Sequence, residues 1–281
     1  MRPSALAAAL VAGLFTTAAL AAETAATTIP MDHTQDPYIW LEDVEGEAAL
    51  DWVRARNART VGAMEADPAF ASLRDDLRAI LDSNARIPFV TERAGWYYNF
   101  WRDAQNPRGV WRRTTPAEYR KDSPSWEVIL DLDALAKAED ENWVWAGSNC
   151  LRPAYTQCLI SLSRGGADAN VTREFDVTSK SFVEGGFFRP EAKGGMGWID
   201  ADTVYVYTDF GEGSMTQSGY PRTVRQWSRG TPMDQAQGVF EGRDDDMYIA
   251  GYRDHTPGFV RDFVSRTLAF YNDELYVRGS D

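Results

Sequence analysis

Histidine and cysteine are scarce: the 281 residues contain two of each. His33, His255, Cys150 and Cys158 make no recognised zinc-ligand spacing, so no metal site is expected. With only two histidines as possible bases, a Ser-His-Asp set has little to draw on. None of Ser148, Ser163, Ser214, Ser218 or Ser228 sits in a G-x-S-x-G elbow, so no catalytic residue is assigned. Basic residues are outnumbered, 29 Lys+Arg against 42 Asp+Glu, for a formal net charge of -13. Such a chain repels phosphate backbones, which argues against nucleic acid as a partner. Long apolar runs are lacking as well. The one candidate, residues 5–20, falls short of the roughly 20 residues of a membrane span and is interrupted by Thr16 and Thr17.

That run reads instead as a signal peptide over residues 1–21. Arg2 supplies the positive end and Ala19-Leu20-Ala21 the small residues of a cleavage site. An uncleaved anchor is the alternative. Cleavage takes Lys+Arg from 29 to 28 against 42 acids, a net charge of -14. The expected protein is exported, periplasmic or secreted, with no membrane association after cleavage and a flexible leader over residues 22–35. Export fits Cys150 and Cys158, which flank a Pro-containing turn. Strands folding back there would bring them together in a compartment that permits a disulfide; two buried, inert thiols remain the other possibility.

Aromatics are plentiful, with 10 Trp, 12 Tyr and 13 Phe, and they favour strands. Two helices are nevertheless expected early. Asp36-Pro37-Tyr38-Ile39-Trp40-Leu41-Glu42-Asp43 reads as an extended apolar segment that docks on something. From about Glu45, the residues Leu50, Val53, Asn57, Val61 and Met64 share one helical face. A second helix starts with Asp67 as N-cap and Pro68 at its first position, and carries the stripe Phe70, Leu73, Leu77, Ile80 and Leu81.

From about Ile87 only strands are expected. The pattern is clearest between Trp143 and Asp176. Runs at 143–146, 158–162 and 174–177 are separated by Arg152-Pro153 and by Gly165-Gly166-Ala167-Asp168, which describes an antiparallel meander. Similar units are expected at 88–90, 96–101, 110–114 and 126–130; at 197–199, 203–208, 223–227 and 239–240; and at 247–249, 267–271 and 275–277. Trp96, Trp143 and Trp198 recur at separations of 47 and 55 residues, close to a β-propeller blade, although a sandwich stays open.

Few groups suggest chemistry. The glycine-rich run from Ser163 to Asp168 lacks the Lys and the helix of a phosphate loop, so no cofactor is expected. Asp244-Asp245-Asp246 reads as a solvated run, and His255 as a surface-loop histidine. The long connection from Asp209 to Arg222 mixes aromatic, Met, charge and Gly; it reads first as a structured connection between blade strands, and, as the alternative, makes Asp209, Glu212, Met215, Tyr220 and Arg222 the candidate functional residues.

Several segments resemble the prolyl oligopeptidase family of serine peptidases. Asp36 to Asp43, followed by Trp52-Val53 and Asn57 to Thr60, is similar to the family's N-terminal entry. Ser163 to Asp168, Arg173 to Asp176, Phe182 to Phe187 and Thr216 to Arg222 resemble blade segments of a bacterial exported branch. The resemblance implies an α/β-hydrolase domain built from a short N-terminal and a long C-terminal segment, with a seven-bladed propeller inserted between them. Residues 36–85 would then be the hydrolase domain's N-terminal helical segment, and 86–281 an incomplete propeller of about four blades. The family's Ser, Asp and His lie in the C-terminal part, and no position here matches those motifs. The expectation is an N-terminal fragment of a peptidase that cleaves short peptides after proline. It is inactive alone, and its missing partner is the hydrolase domain. A self-standing exported propeller that binds a partner, or a propeller glycosidase using two acids, are the alternatives.

Overall fold

The computed structural model describes residues 36–43 and 45–279, so the expected signal peptide, the leader and His33 lie outside the described residues. The chain divides into two compact units, one ending at Ser72 and one beginning at Leu73.

In the first unit, the entry segment is not extended. Asp36 accepts from the Tyr38 amide at 2.8 Å, and a 3-10 turn, Ile39–Glu42, follows. Proline restricts the residue before it, and Asp36 side-chain bonding then closes the turn beyond it. The docking surface is helix α1, Glu47–Glu65, an Ala- and Arg-rich run of good helix formers. Its Trp52 meets Tyr38 at 6.4 Å and Trp40 at 6.3 Å between ring centroids, and Arg56 lies over the Trp52 ring. Val53, Val61 and Met64, on the stripe expected to be dry, are exposed.

The unit boundary falls within α2, Phe70–Leu81. Asp67, three residues ahead of the helix proper, caps its approach by accepting from the Ala69 amide at 2.8 Å. The face carrying Leu73, Leu77, Ile80 and Leu81 is more than half exposed at each position.

The second unit holds four antiparallel meanders. The first comprises β1 (Thr91–Arg93), β2 (Trp96–Trp101), β3 (Val110–Thr114) and β4 (Glu127–Asp131), with helix α3 (Pro116–Tyr119) before β4 and helix α4 (Leu132–Glu139) after it. The second comprises β5 (Trp143–Cys150), β6 (Gln157–Arg164), β7 (Asn170–Asp176) and β8 (Ser181–Phe182); β9 (Phe188–Ala192) also pairs with β7. The third runs β10 (Gly195–Asp200), β11 (Thr203–Tyr207), β12 (Thr223–Ser228) and β13 (Gln237–Glu241). The fourth runs β14 (Tyr248–Asp254), β15 (Arg261–Ala269) and β16 (Asn272–Val277).

Tryptophan marks this repeat poorly. Trp96 opens a second strand, Trp143 a first strand, and Trp198 lies inside one. The first strands of the sheets start at Thr91, Trp143, Gly195 and Tyr248. Those starts are 52 (143 − 91), 52 (195 − 143) and 53 (248 − 195) residues apart, so the blades repeat evenly.

Period-2 alternation explains how the blades stack. Along β6, Cys158, Ile160 and Leu162 face the first sheet, with Tyr98, Trp111 and Ile129, whereas Leu159 faces the third, with Trp198 and Val204. Along β11, Val204 and Val206 point back toward the second sheet, and Tyr205 points forward to Ile249 and Val264 of the fourth. Each interior sheet is therefore apolar on both faces.

Three expectations need correction. The first strand lies at 91–93 rather than 88–90, because the Ala94-Gly95 turn, both residues at positive φ, fixes Arg93 opposite Trp96. The chain beyond Ile87 is not all strand. Asp131 caps α4 by accepting from the Ala134 amide at 2.9 Å, Asp140 closes it in the left-handed region, and Leu132 and Ala136 are buried in the first core. Strand β15 ends at Ala269, and Phe270-Tyr271 form its turn into β16.

Candidate functional site

The connection from Asp209 to Arg222 is built inward. Asp209 accepts from the Gly211 amide at 2.8 Å and from the Ser214 hydroxyl at 3.2 Å, closing its own turn. Arg222 donates to the Gly213 carbonyl at 2.7 Å and pairs with Glu241 at 2.9 Å. Met215 bridges to Pro221 in backbone register and is half-buried. Ser218 donates to the Met247 carbonyl at 2.6 Å, which fastens the loop to the link between the third and fourth sheets. Of the five candidates, Glu212 points away exposed, and the five do not converge on one site.

Tyr220 alone joins a wider cluster. Its hydroxyl donates to Asp168, at the β6–β7 turn, and this bond holds the phenol's pKa above its ordinary value. Lys193 lies over the Tyr220 ring at 4.4 Å. Tyr220 also packs edge-on against Tyr248, which packs edge-on against Tyr207. Burial pushes both inner phenols up. Behind them Arg189 is wholly buried and, among the described residues, pairs with no carboxylate. It donates to the Ala192 carbonyl at 3.0 Å and to Thr172 Oγ1 at 3.1 Å, and desolvation lowers its pKa to about 10. Sequence reasoning missed this cluster because its members come from three separate connections, at Asp168, Lys193 and Tyr220, and from three strands, β9, β11 and β14.

Elsewhere the blade interfaces carry ion pairs. Buried Glu174 of β7 accepts two bonds from Arg229, at 2.8 and 3.0 Å, and one from the Phe187 amide at 2.9 Å. Beside it a cavity of about 390 Å³ opens between Phe187, Phe188, Trp227 and Met233. Asp246 is not solvated as the acidic run implied. It is buried and takes a bidentate pair from Arg266, with both contacts at 2.8 Å. Cys150 and Cys158 lie directly opposite each other on β5 and β6, joined by an S–S bond of 2.00 Å. Between the first and second sheets, a cavity of about 250 Å³ is lined by Arg93, Ser148 and several aromatic rings.

No Ser-His pair is assembled among the described residues. His255 Nε2 engages the Trp198 carbonyl at 3.0 Å. No group of three or more His, Cys, Asp or Glu among the described residues has the geometry to hold a metal ion.

Four sequential antiparallel blades packed face on face define a propeller-type domain. Residues 19–278 match the family described as prolyl oligopeptidase, N-terminal beta-propeller domain, and the chain belongs to that family. It is 40% identical over 243 residues to the uncharacterized peptidase y4nA of Sinorhizobium fredii, covering 85% of this chain and 34% of that protein. It is 30% identical over 249 residues to the uncharacterized peptidase RP174 of Rickettsia prowazekii, again covering 85% and 34%. Among solved structures, a post-proline cleaving enzyme from Rickettsia typhi superposes with a TM-score of 0.78 at 32% identity, covering 85% of this chain and 36% of that one. The chain thus spans about a third of the length of these relatives.

Proposed function

We propose that this chain is the propeller-bearing N-terminal part of an exported serine peptidase that cleaves short peptides after proline. The observation that carries this reading is the 32% identity and TM-score of 0.78 to the post-proline cleaving enzyme, spread over 85% of the chain. In the complete protein a serine would attack the carbonyl of the proline, a histidine oriented by an aspartate would take the serine proton and pass it to the amine that leaves, and water would then release the acyl group. Those groups would come from a hydrolase domain, of which residues 36–85 would form the N-terminal segment. The propeller would limit access to short peptides. Export is supported by the charged, apolar and small-residue order of residues 1–21 and is compatible with the Cys150–Cys158 bond.

The test compares the 281-residue chain with the product of the complete reading frame. The chain should neither react with a fluorophosphonate serine probe nor cleave a fluorogenic Gly-Pro substrate. The longer product should do both, and its N-terminal sequence from the periplasm should begin after Ala21. Probe labelling of the 281-residue chain, or a longer product that ignores proline, would overturn the reading.

A further inference from the structure

Arginines at the blade interfaces are mostly matched by acids. Arg229 pairs with Glu174, Arg253 with Asp262, and Arg266 with Asp246. Arg93 departs from that pattern. It sits on β1, the short first strand of the first blade, and reaches across to the last residues of β5. Its guanidinium donates to Ser148 Oγ at 3.1 Å, to the Ser148 carbonyl at 3.4 Å and to Cys150 Sγ at 3.0 Å. All of these acceptors are neutral, and among the described residues no carboxylate lies within 4.0 Å of it. The rings of Tyr98 and Trp111 flank it, at 5.4 and 5.8 Å from their centroids. Burial draws the guanidinium below its ordinary pKa, the signature of a cation that has lost water without gaining an anion.

Among the described residues Arg189 is also unmatched by an acid, but it is wholly enclosed and bonded to several neutral oxygens, so it reads as structural. Arg93 is half-buried, and it opens onto the cavity of about 250 Å³. The other walls include Phe100, Trp111 and Trp145. Phe100 and Trp145 stack at 5.0 Å. The volume is below the roughly 300–1,000 Å³ of a small-molecule site, so it takes a single residue of a longer ligand.

We propose that this cavity binds a carboxylate carried by a short peptide, with Arg93 as the anion partner, Ser148 as a second donor and the aromatic rings holding the residue that bears the acid. A bidentate guanidinium–carboxylate pair in a partly desolvated site is among the stronger polar contacts. It also removes the cost of leaving a desolvated charge unmatched. The peptide as carrier rests on the proposed function; the carboxylate rests on the cavity alone.

Titration calorimetry on the full chain tests this, with acetyl-Gly-Phe as free acid and as C-terminal amide. The acid should bind roughly tenfold or more tightly than the amide, as expected for a hydrogen-bonded charge pair. Arg93→Met should erase that preference, and Arg93→Lys should keep part of it. Acetyl-Asp-Phe-amide separates the two sources, because its binding would assign a side-chain acid and its failure a C-terminal one. Equal affinity for acid and amide, no binding by either, or an acid preference that survives Arg93→Met would overturn the site. Should Arg93→Met fail to fold, the acid–amide comparison on the unaltered chain decides. The assay requires no cleavage, so absence of post-proline activity in the longer product would count against the functional reading and leave this site standing.

Discussion

At the scale of single residues, the buried charges are the positions most sensitive to losing a partner. Asp246 shows this most plainly. It is 4% exposed and accepts both Arg266 contacts together with the Arg243 amide at 2.7 Å. The bond from Arg266 holds its carboxyl below the usual aspartate range. A depressed carboxylate stabilises the fold fully above its unfolded pKa, near 4, and loses that contribution as pH falls through the lower folded value. Asp246→Asn should therefore cost about 3 kcal/mol near neutral pH. The gap to the unaltered chain should begin to narrow below about pH 4 and go on narrowing as pH falls toward the lower folded value. Urea unfolding at pH 7 and pH 3 checks both statements, and a gap that stays constant with pH would show that the pair contributes through shape alone. This role was hidden in sequence, because Asp244, Asp245 and Asp246 look alike and only the fold places Arg266 against the third. The same holds for Arg93, whose partners lie 55 and 57 residues along the chain. By contrast, the mixed composition of the Asp209–Arg222 loop was visible, yet its Asp209 and Arg222 hold the loop itself together.

At the scale of elements, the strands were legible wherever alternation and a Gly turn coincided. Strands β2, β3, β11 and β12 lie within a residue of their expected limits, because each aromatic or β-branched run is bounded by polar turn residues. Legibility failed where the signal was short or the turn lacked glycine. Helix α4 has eight residues and follows β4 without a break, and Tyr271 takes positive φ with no Asn-Gly pair to announce it. The packing of the fourth blade on the third also depends on a residue with no side chain to read. A Cβ on Gly251 of β14 would come within 2.5 Å of Val224 Cγ1 on β12. Gly251→Ala should thus force the third and fourth blades apart and cost about 1–3 kcal/mol. Chemical denaturation measures this directly, and an unchanged midpoint would mean that Val224 relaxes freely.

At the scale of the whole molecule, the four blades differ in what covers them. The interior sheets bury both faces, whereas the fourth has Ile249 and Val264 against the third blade and β16 exposed throughout. On its far side Tyr252 stacks on Phe263 at 5.4 Å, and register places Val277 opposite Phe263 and Leu275 opposite Ser265. Leu275 and Val277 are 59% and 57% exposed. Such a face is apolar in the way interior blade faces are, and under the proposed function a further blade of the longer protein would cover it. Leu275→Glu with Val277→Glu then has opposite expected consequences in two settings. In the 281-residue chain each change should shift stability by less than about 0.5 kcal/mol, as at ordinary surface positions. Hydrophobic-dye binding should fall at the same time. In the longer product the pair should cost more than about 2 kcal/mol, because two charges would be buried without partners. Melting curves on both, with and without the substitutions, provide the measurement. Equal tolerance in the two would mean that this face stays in water even when the rest of the protein is present, and the stacking that joins the first four blades would then stop at the fourth.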